Sequence, residues 1–166
     1  AIDSTRDVPM EFVSFAPDDW NGPRHNRHYF CLELSKHHKV VFVSPAFSIA
    51  DFLRRDTKRS MAVSGTDRIS ETLWTYTPPR LLFTNHRFPW LNKLFRNFRI
   101  RLLRAKLRQL GIRNPILLVW HPQYLEALDA FPDSPSIYYI YDHLSGYAGN
   151  DPTQRAPREL ELIRRA

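Results

Sequence analysis

The sequence has little of what stabilises secreted proteins or builds membrane spans. It contains one cysteine, Cys31, which excludes a disulfide within the chain. No stretch approaches the ~20 consecutive apolar residues that a membrane-spanning helix needs. Residues 1–4 have neither the basic nor the apolar region of a signal peptide. We therefore expect a cytoplasmic protein in which Cys31 is a small buried hydrophobic residue.

Several common motifs of enzyme active sites are also missing. The sequence has no Gly-x-Gly-x-x-Gly fingerprint, no P-loop and no Gly-x-Ser-x-Gly elbow. The histidine pairs His25/His28 and His37/His38 lack cysteine or carboxylate partners at zinc-binding spacing. We therefore expect no metal site, and the missing glycine loop argues against a small nucleotide-binding enzyme.

Acidic residues are missing from one segment, residues 80–113, and this sets the charge of the whole chain. Residues 80–113 carry eight arginines and two lysines without a single Asp or Glu, whereas the whole chain has a net charge of +7. With 166 residues and 43% hydrophobic content, the chain predicts one globular domain over residues 1–166. A basic excess of this kind favours anionic partners.

The basic segment also has interleaved aromatic residues and a helical apolar stripe. This is the pattern of a helix that lies on an anionic membrane surface, and it favours nucleic acid less. The alternative is that the apolar stripe packs on the sheet and the cations are only solvated. The side chains that we expect at a membrane surface are Arg87, Trp90, Lys93, Arg96, Arg99, Arg101 and Arg104.

Apolar runs and helical periodicity alternate along the chain. Strands are predicted at residues 10–15, 39–44, 61–63, 73–77, 116–120 and 136–141, and a turn at 64–67. Helices are predicted at residues 23–37, 49–55, 91–110, 123–131 and 157–165, with Gly111 ending the third. This order predicts an α/β layer fold with a parallel opening unit.

The loop at residues 18–28 follows the first strand and carries more polar chemistry than a simple crossover needs. Ligands of parallel α/β sheets bind outside the carboxyl ends of strands, where loops meet helix N-termini. The candidate binding residues are Asp19, Trp20, Asn21, Gly22, Arg24, Arg27 and His28. The alternative is structural, with Asp18 or Asp19 capping backbone amides and the arginines paired with these carboxylates.

Two further polar residues follow predicted strands. His121 comes directly after the strand at 116–120, and Asp142 comes after the strand at 136–141. Together they are candidates for acid–base work on a substrate hydroxyl, which requires both to lie within hydrogen-bond reach of it. The alternative for His121 is a cap of the next helix, and the alternative for Asp142 is a helix cap or a loop-fixing contact.

The order of several motifs resembles a known enzyme family. Residues 14–28 read Ser-Phe-x-x-x-Asp-Trp-x-Gly-x-x-x-x-Arg-His, and residues 39–45 read Lys-Val-Val-Phe-Val-Ser-Pro. Leu-Trp-Thr-Tyr-Thr-Pro-Pro follows at 73–79, Trp-His-Pro at 120–122 and Tyr-x-x-x-Asp-x-x-Ser-x-Tyr at 138–147. Over residues 12–166 the chain resembles the N-terminal half of a bacterial GT-B glycosyltransferase, GT4-like, of the surface-polysaccharide or teichuronic-acid-type group.

The resemblance implies a Rossmann-like three-layer sandwich that binds a saccharide or lipid-linked acceptor. It also implies that this domain binds no cofactor, and that the nucleotide-sugar donor is held by a second, C-terminal domain that residues 1–166 do not include. We expect the isolated chain to have little transferase activity and the whole enzyme to work at the inner membrane face. A rival interpretation is a non-catalytic α/β module that binds an anionic ligand or a partner protein.

Overall fold

The computed structural model describes residues 9–48, 64–84, 87–140 and 152–166, the last segment with side chains from residue 157 onward. The strands are β1 (Glu11–Phe15), β2 (Lys39–Val43), β3 (Gly65–Arg68), β4 (Leu73–Thr77), β5 (Ile116–Val119) and β6 (Ser136–Tyr138). The helices are α1 (Asn26–Leu34), α2 (Pro89–Gln109), α3 (Leu125–Ala130) and α4 (Pro152–Arg165), with a 3-10 turn at Pro122–Tyr124 before α3.

The six described strands form one sheet in the order β3-β4-β2-β1-β5-β6. Neighbouring strands are parallel except for β3, which runs antiparallel to β4. From β1 the chain moves outward through β2 to β4, and it then returns to β5 on the other side of β1. The predicted fold class is confirmed as a Rossmann-like α/β sandwich with a mostly parallel sheet. The reversal between β1 and β5 is the point where such sheets open a ligand crevice.

Both faces of the central strands are buried, which explains why these strands read as continuous apolar runs. On one face, Phe12, Val40 and Phe42 pack with Cys31 of α1. The opposite face packs against α2, α3 and α4, whose buried contacts include Leu103, Leu107, Ala127, Leu128 and Leu162. Cys31 is fully buried, as predicted. The two core clusters make three layers, with helices on both sides of the sheet.

Helix α2 has clear start and stop signals. It begins at Pro89, where a proline costs no hydrogen bond. It ends before Gly111, whose φ of 74° lies in the left-handed region that favours glycine. The N–H of Ile112 donates to the carbonyl of Leu107 at 2.9 Å, which closes a Schellman-type cap. The predicted end of this helix at Gly111 is therefore confirmed.

The edges of the sheet depart most from the sequence prediction. Residues 64–67, predicted as a turn, are mostly strand, because Gly65 to Arg68 pair with β4 through their backbone. Side chains did not signal this strand, since its residues are mostly exposed and Gly and Asp are poor strand formers. At the other edge, Ile137 of β6 is 49% exposed. The predicted helix at 49–55 and strand at 61–63 lie outside the described residues.

Candidate functional site

A cavity of about 480 Å³ lies at the carboxyl ends of the central strands, on the face covered by α2. Its walls come from the ends of β1, β2 and β4, from α2, and from the segment that links β5 to α3. This is the crevice position that the strand order predicts. Its volume falls within the range of small-molecule sites, about 300–1,000 Å³.

Three polar side-chain atoms of this cavity have no hydrogen-bond partner among the described residues. Ser44, directly after β2, is 1% exposed, and Tyr76 of β4 is 5% exposed. Within the described part of the chain, the hydroxyl groups of both residues and Oδ1 of Asn92 on α2 have no hydrogen-bond partner. All three residues line the cavity. Since a buried polar atom without a partner costs about 1–3 kcal/mol, such a cluster is a sign of a ligand site.

Three arginines line the same cavity. Arg99 of α2 donates from Nη1 to the carbonyl oxygens of Leu82 and Phe83, at 2.6 and 3.3 Å. Arg96, one turn earlier, and Arg158 of α4 both contact Glu126, at 3.3 and 2.6 Å. Three guanidinium groups therefore face one carboxylate among the described lining residues. The cavity is electropositive and suited to an anion.

The electrostatics of the cavity follow from burial and from crowding of the cations. Burial lowers the pKa of Arg99, and the neighbouring charge of Arg96 lowers it further. Burial raises the pKa of Tyr76, while the charge of Arg99 opposes that shift. Tyr76 therefore keeps its proton at neutral pH and can donate a hydrogen bond.

The segment at residues 18–28 lies mainly on the other face of the sheet, and its last three residues form the first turn of α1. Trp20 is 3% exposed and packs edge-on against Phe42 at 5.0 Å between ring centroids. Arg27 is buried and forms an ion pair with Asp18. Asp19 accepts from the backbone N–H of Asn21 at 3.0 Å. These contacts are those of the structural alternative for the loop.

Three further candidate residues of the loop are exposed or half-buried. Arg24 is exposed, with its guanidinium 4.7 Å from the centre of the Trp20 ring. Gly22 donates its N–H to the carbonyl of Asp19 at 3.0 Å and closes a tight turn. A Cβ at Gly22 would lie 3.2 Å from that same oxygen, so glycine suits this turn. Asn21 is exposed at the tip.

His28 is fully buried and stacks on Phe42 with ring centroids 5.1 Å apart. Its Nδ1 accepts from the backbone N–H of His25 at 3.0 Å, and its Nε2 lies 3.2 Å from the carbonyl of Asp19. Burial lowers the pKa of His28, although the hydrogen bond to Asp19 opposes this. His28 thus ties the start of α1 to the loop as a neutral ring.

Of the two predicted acid–base residues, one lies within the described chain. His121 accepts at Nδ1 from the backbone N–H of Gln123 at 3.2 Å and caps the 3-10 turn. Gln123 and Tyr124, the second and third residues after His121, contribute to the cavity wall. Tyr124 also donates its hydroxyl to the carbonyl of Ala16 at 2.6 Å, which links the loops after β5 and β1. Asp142 lies outside the described residues.

The seven predicted membrane-surface residues occupy different sides of α2 and its approach. Arg96 and Arg99 face the cavity. The other five are exposed: Arg87, Trp90, Lys93, Arg101 and Arg104. Beside them runs a stripe of Leu94, Phe98 and Leu102, each 44–45% exposed. Among the described helices, none combines the length and apolar character that crossing a bilayer requires.

Ser44, Tyr76 and Asn92 were not among the residues predicted from the sequence, although the sequence contains usable signals. Ser44 directly follows a predicted buried strand, at the end where ligands bind. The sequence also predicts that Arg99 lies on the buried face of its helix, because it precedes Leu103 by four residues and so shares its helical face. A charged residue on the apolar stripe of a helix marks either a buried pair or a ligand contact.

No family model, curated protein or solved structure matches this chain.

Proposed function

We propose that this chain is the acceptor-binding domain of a glycosyltransferase that moves a sugar from a nucleotide-sugar to a saccharide or lipid-linked acceptor. The observation that carries the proposal is the cavity at the carboxyl ends of β1, β2 and β4, where Ser44 and Tyr76 present unpartnered hydroxyls. Sugar hydroxyls need such donors and acceptors at fixed positions, within walls that exclude water. The motif order that resembles GT-B enzymes points to the same chemistry.

In this proposal the chain supplies recognition and the donor belongs to a second domain. The cavity holds the acceptor at the edge of the sheet, where the resembled enzymes place a cleft between two domains. Tyr124, bonded to the carbonyl of Ala16, fixes the two loops that border this edge. The acid–base role of His121 and Asp142 stays a prediction, with His121 Nδ1 held by the amide of Gln123.

The outer side of α2 supports a further part of the proposal, contact with an anionic membrane. Trp90 is 68% exposed, and the apolar stripe beside it lies next to Lys93, Arg101 and Arg104. Apolar side chains at the depth of the acyl chains and cations at the headgroups are the features of an interfacial helix. This side would hold the cavity close to a lipid-linked acceptor at the inner membrane face.

The test is a transfer assay on two proteins. The isolated chain should bind saccharides but show little or no transfer from UDP-glucose or other nucleotide-sugars. The coding sequence beyond residue 166 should continue into a second α/β domain, and the longer protein should transfer sugar. Full turnover by residues 1–166 alone would contradict the proposed division of labour.

The second candidate is a non-catalytic module that binds an anionic ligand. The three arginines at the cavity favour it, because anion binding needs no second domain. A natural stop codon after residue 166, together with anion binding and no transfer in any protein context, would support this candidate instead.

A further inference from the structure

The polar cluster of the cavity calls for a ligand with hydrogen-bond donors. Asn92 Oδ1 can only accept a hydrogen bond, whereas the hydroxyls of Ser44 and Tyr76 can donate or accept. These atoms have no partner among the described residues, and Ser44 and Tyr76 are more than nine-tenths buried. An apolar ligand would leave the three atoms unsatisfied. A ligand bearing several hydroxyl groups satisfies them.

The arginines of the same cavity call for an anion. Arg99 uses Nη1 for two backbone carbonyls, which leaves its Nη2 and Nε without a partner within the described chain. Arg96 and Arg158 share the one carboxylate of Glu126. The three guanidinium groups and one carboxylate carry a formal charge of +2. A phosphate monoester, with up to two negative charges and three terminal oxygens, matches this charge better than a carboxylate does.

The geometry points to a phosphorylated sugar, or a similar phosphorylated polyol, as the ligand of this cavity. We propose that the phosphoryl group binds at Arg96, Arg99 and Arg158, and that the sugar hydroxyls bind at Ser44, Tyr76 and Asn92. The inference rests on the proposed function in that both place the acceptor in this cavity, and it adds that the acceptor carries phosphate close to the sugar.

The first experiment is calorimetric titration of the full chain at low ionic strength with three probes. Glucose 1-phosphate should bind at least about tenfold more tightly than inorganic phosphate, because it adds the hydroxyl contacts. Glucose without phosphate should bind weakly or not at all. Equal binding of glucose 1-phosphate and inorganic phosphate, or no binding of either, would overturn the inference.

The second experiment uses variants that separate binding from folding. Tyr76→Phe and Ser44→Ala remove hydroxyls that the chain itself leaves unpartnered, so the ligand-free protein should unfold at the same or a higher temperature. Both variants should nevertheless bind glucose 1-phosphate about tenfold more weakly. Lower thermal stability with unchanged binding would show that the hydroxyls are structural, and would reject their role in the site.

A matched pair of arginine variants tests the proposed phosphoryl-binding part of the cavity. Arg99→Gln should reduce the affinity for both glucose 1-phosphate and inorganic phosphate by about tenfold or more. Arg108→Gln makes the same change of charge at an exposed position of the same helix and should leave both affinities unchanged. Equal losses from the two variants would indicate non-specific attraction to a basic surface and would overturn the site. Should Arg99→Gln fail to fold, the Tyr76 and Ser44 variants decide the matter.

Two further arms place the ligand and separate the two proposals. Dodecyl glucosyl phosphate is a phosphodiester with one negative charge, so it should compete less strongly than glucose 1-phosphate at a site that favours a monoester; stronger competition would overturn the monoester and assign a lipid-linked diester instead. Binding of these probes without transfer by the longer protein would remove the transferase proposal and leave the site. Transfer to acceptors without phosphate, with no binding of these probes, would remove the phosphorylated-sugar site and leave the transferase proposal.

Discussion

The loop at residues 18–28 and the cavity beneath α2 lie on opposite faces of one sheet, and both are rich in polar side chains. In the loop these groups bind one another: Asp18 pairs with Arg27, and His28 bonds to the backbone of His25. In the cavity, the hydroxyls of Ser44 and Tyr76 have no partner within the described residues. Density of polar residues in the sequence therefore says less about a binding site than the number of polar atoms left unpaired in the fold.

The loop and the cavity also differ in the role of their buried arginines. Arg27 of the loop is buried against Asp18, where it fixes the approach to α1. Arg99 of the cavity has burial and a neighbouring cation but no carboxylate contact among the described residues, and both influences lower its pKa. A cation held in that state is stabilised by an incoming anion, whereas an already paired arginine gains less.

The largest difference between the loop and an exposed surface is expected when Trp20 is removed from the loop. Trp20→Ala should lower the free energy of unfolding by about 3–5 kcal/mol, because the 3% exposed ring packs on Phe42 and His28. Urea denaturation followed by circular dichroism measures this. Trp90→Ala, at a 68% exposed position, should change stability by less than about 0.5 kcal/mol. Similar losses from both variants would contradict the structural role of the loop.

A smaller effect is expected on the outer side of α2. Arg101→Gln should weaken binding to vesicles containing anionic lipid by about fivefold, since each cation near such a surface contributes about 1 kcal/mol. Arg113→Gln removes an equal charge near the amino end of β5 and serves as the control. Co-sedimentation should require anionic lipid and weaken with salt. Absence of binding to anionic vesicles at low salt would reject membrane contact.

The last expected effect is the pH dependence that His28 gives to the loop. Burial lowers its pKa below the ordinary value of 6.5, so the unfolded chain binds the proton more readily than the folded chain. The contribution of His28 to the free energy of unfolding should therefore be fully present above pH 6.5. It should decrease as the pH drops below 6.5, by at most about 1.4 kcal/mol per pH unit.

The measurement for His28 is urea denaturation between pH 7.5 and pH 5, on wild type and on His28→Gln. The variant should lose part of the acid-side slope, because glutamine does not titrate. Parallel curves for the two proteins would show that His28 has the same pKa in the folded and unfolded states, and that the loop does not hold it neutral.

Much of the fold could be predicted from the sequence, because buried parallel strands and an amphipathic helix have strong patterns. The apolar run at residues 39–43 predicts the buried strand β2, and the helical spacing of Leu103 and Leu107 predicts the buried face of α2. Strand β3 could not be predicted, because backbone pairing with β4 forms it and its side chains carry no signal.

The candidate site was harder to predict than the fold for a related reason. The sequence shows which residues can form hydrogen bonds, but only the packed chain decides which of them find a partner. Trp20, Arg27 and His28 looked available and proved to be packed or bonded within the loop. Ser44 and Tyr76 looked like ordinary strand residues, and their hydroxyls are the ones without a partner in the described chain.

The two edge strands of the described part of the sheet differ in a way that bears on aggregation. Edge strand β3 presents the charged side chains of Asp67 and Arg68, which discourage the addition of another strand. Edge strand β6 pairs with β5 and presents Ile137, with Ile140 just beyond it, each about half exposed. At high concentration, self-association of this chain should therefore begin by strand addition at β6 and spare the charged edge.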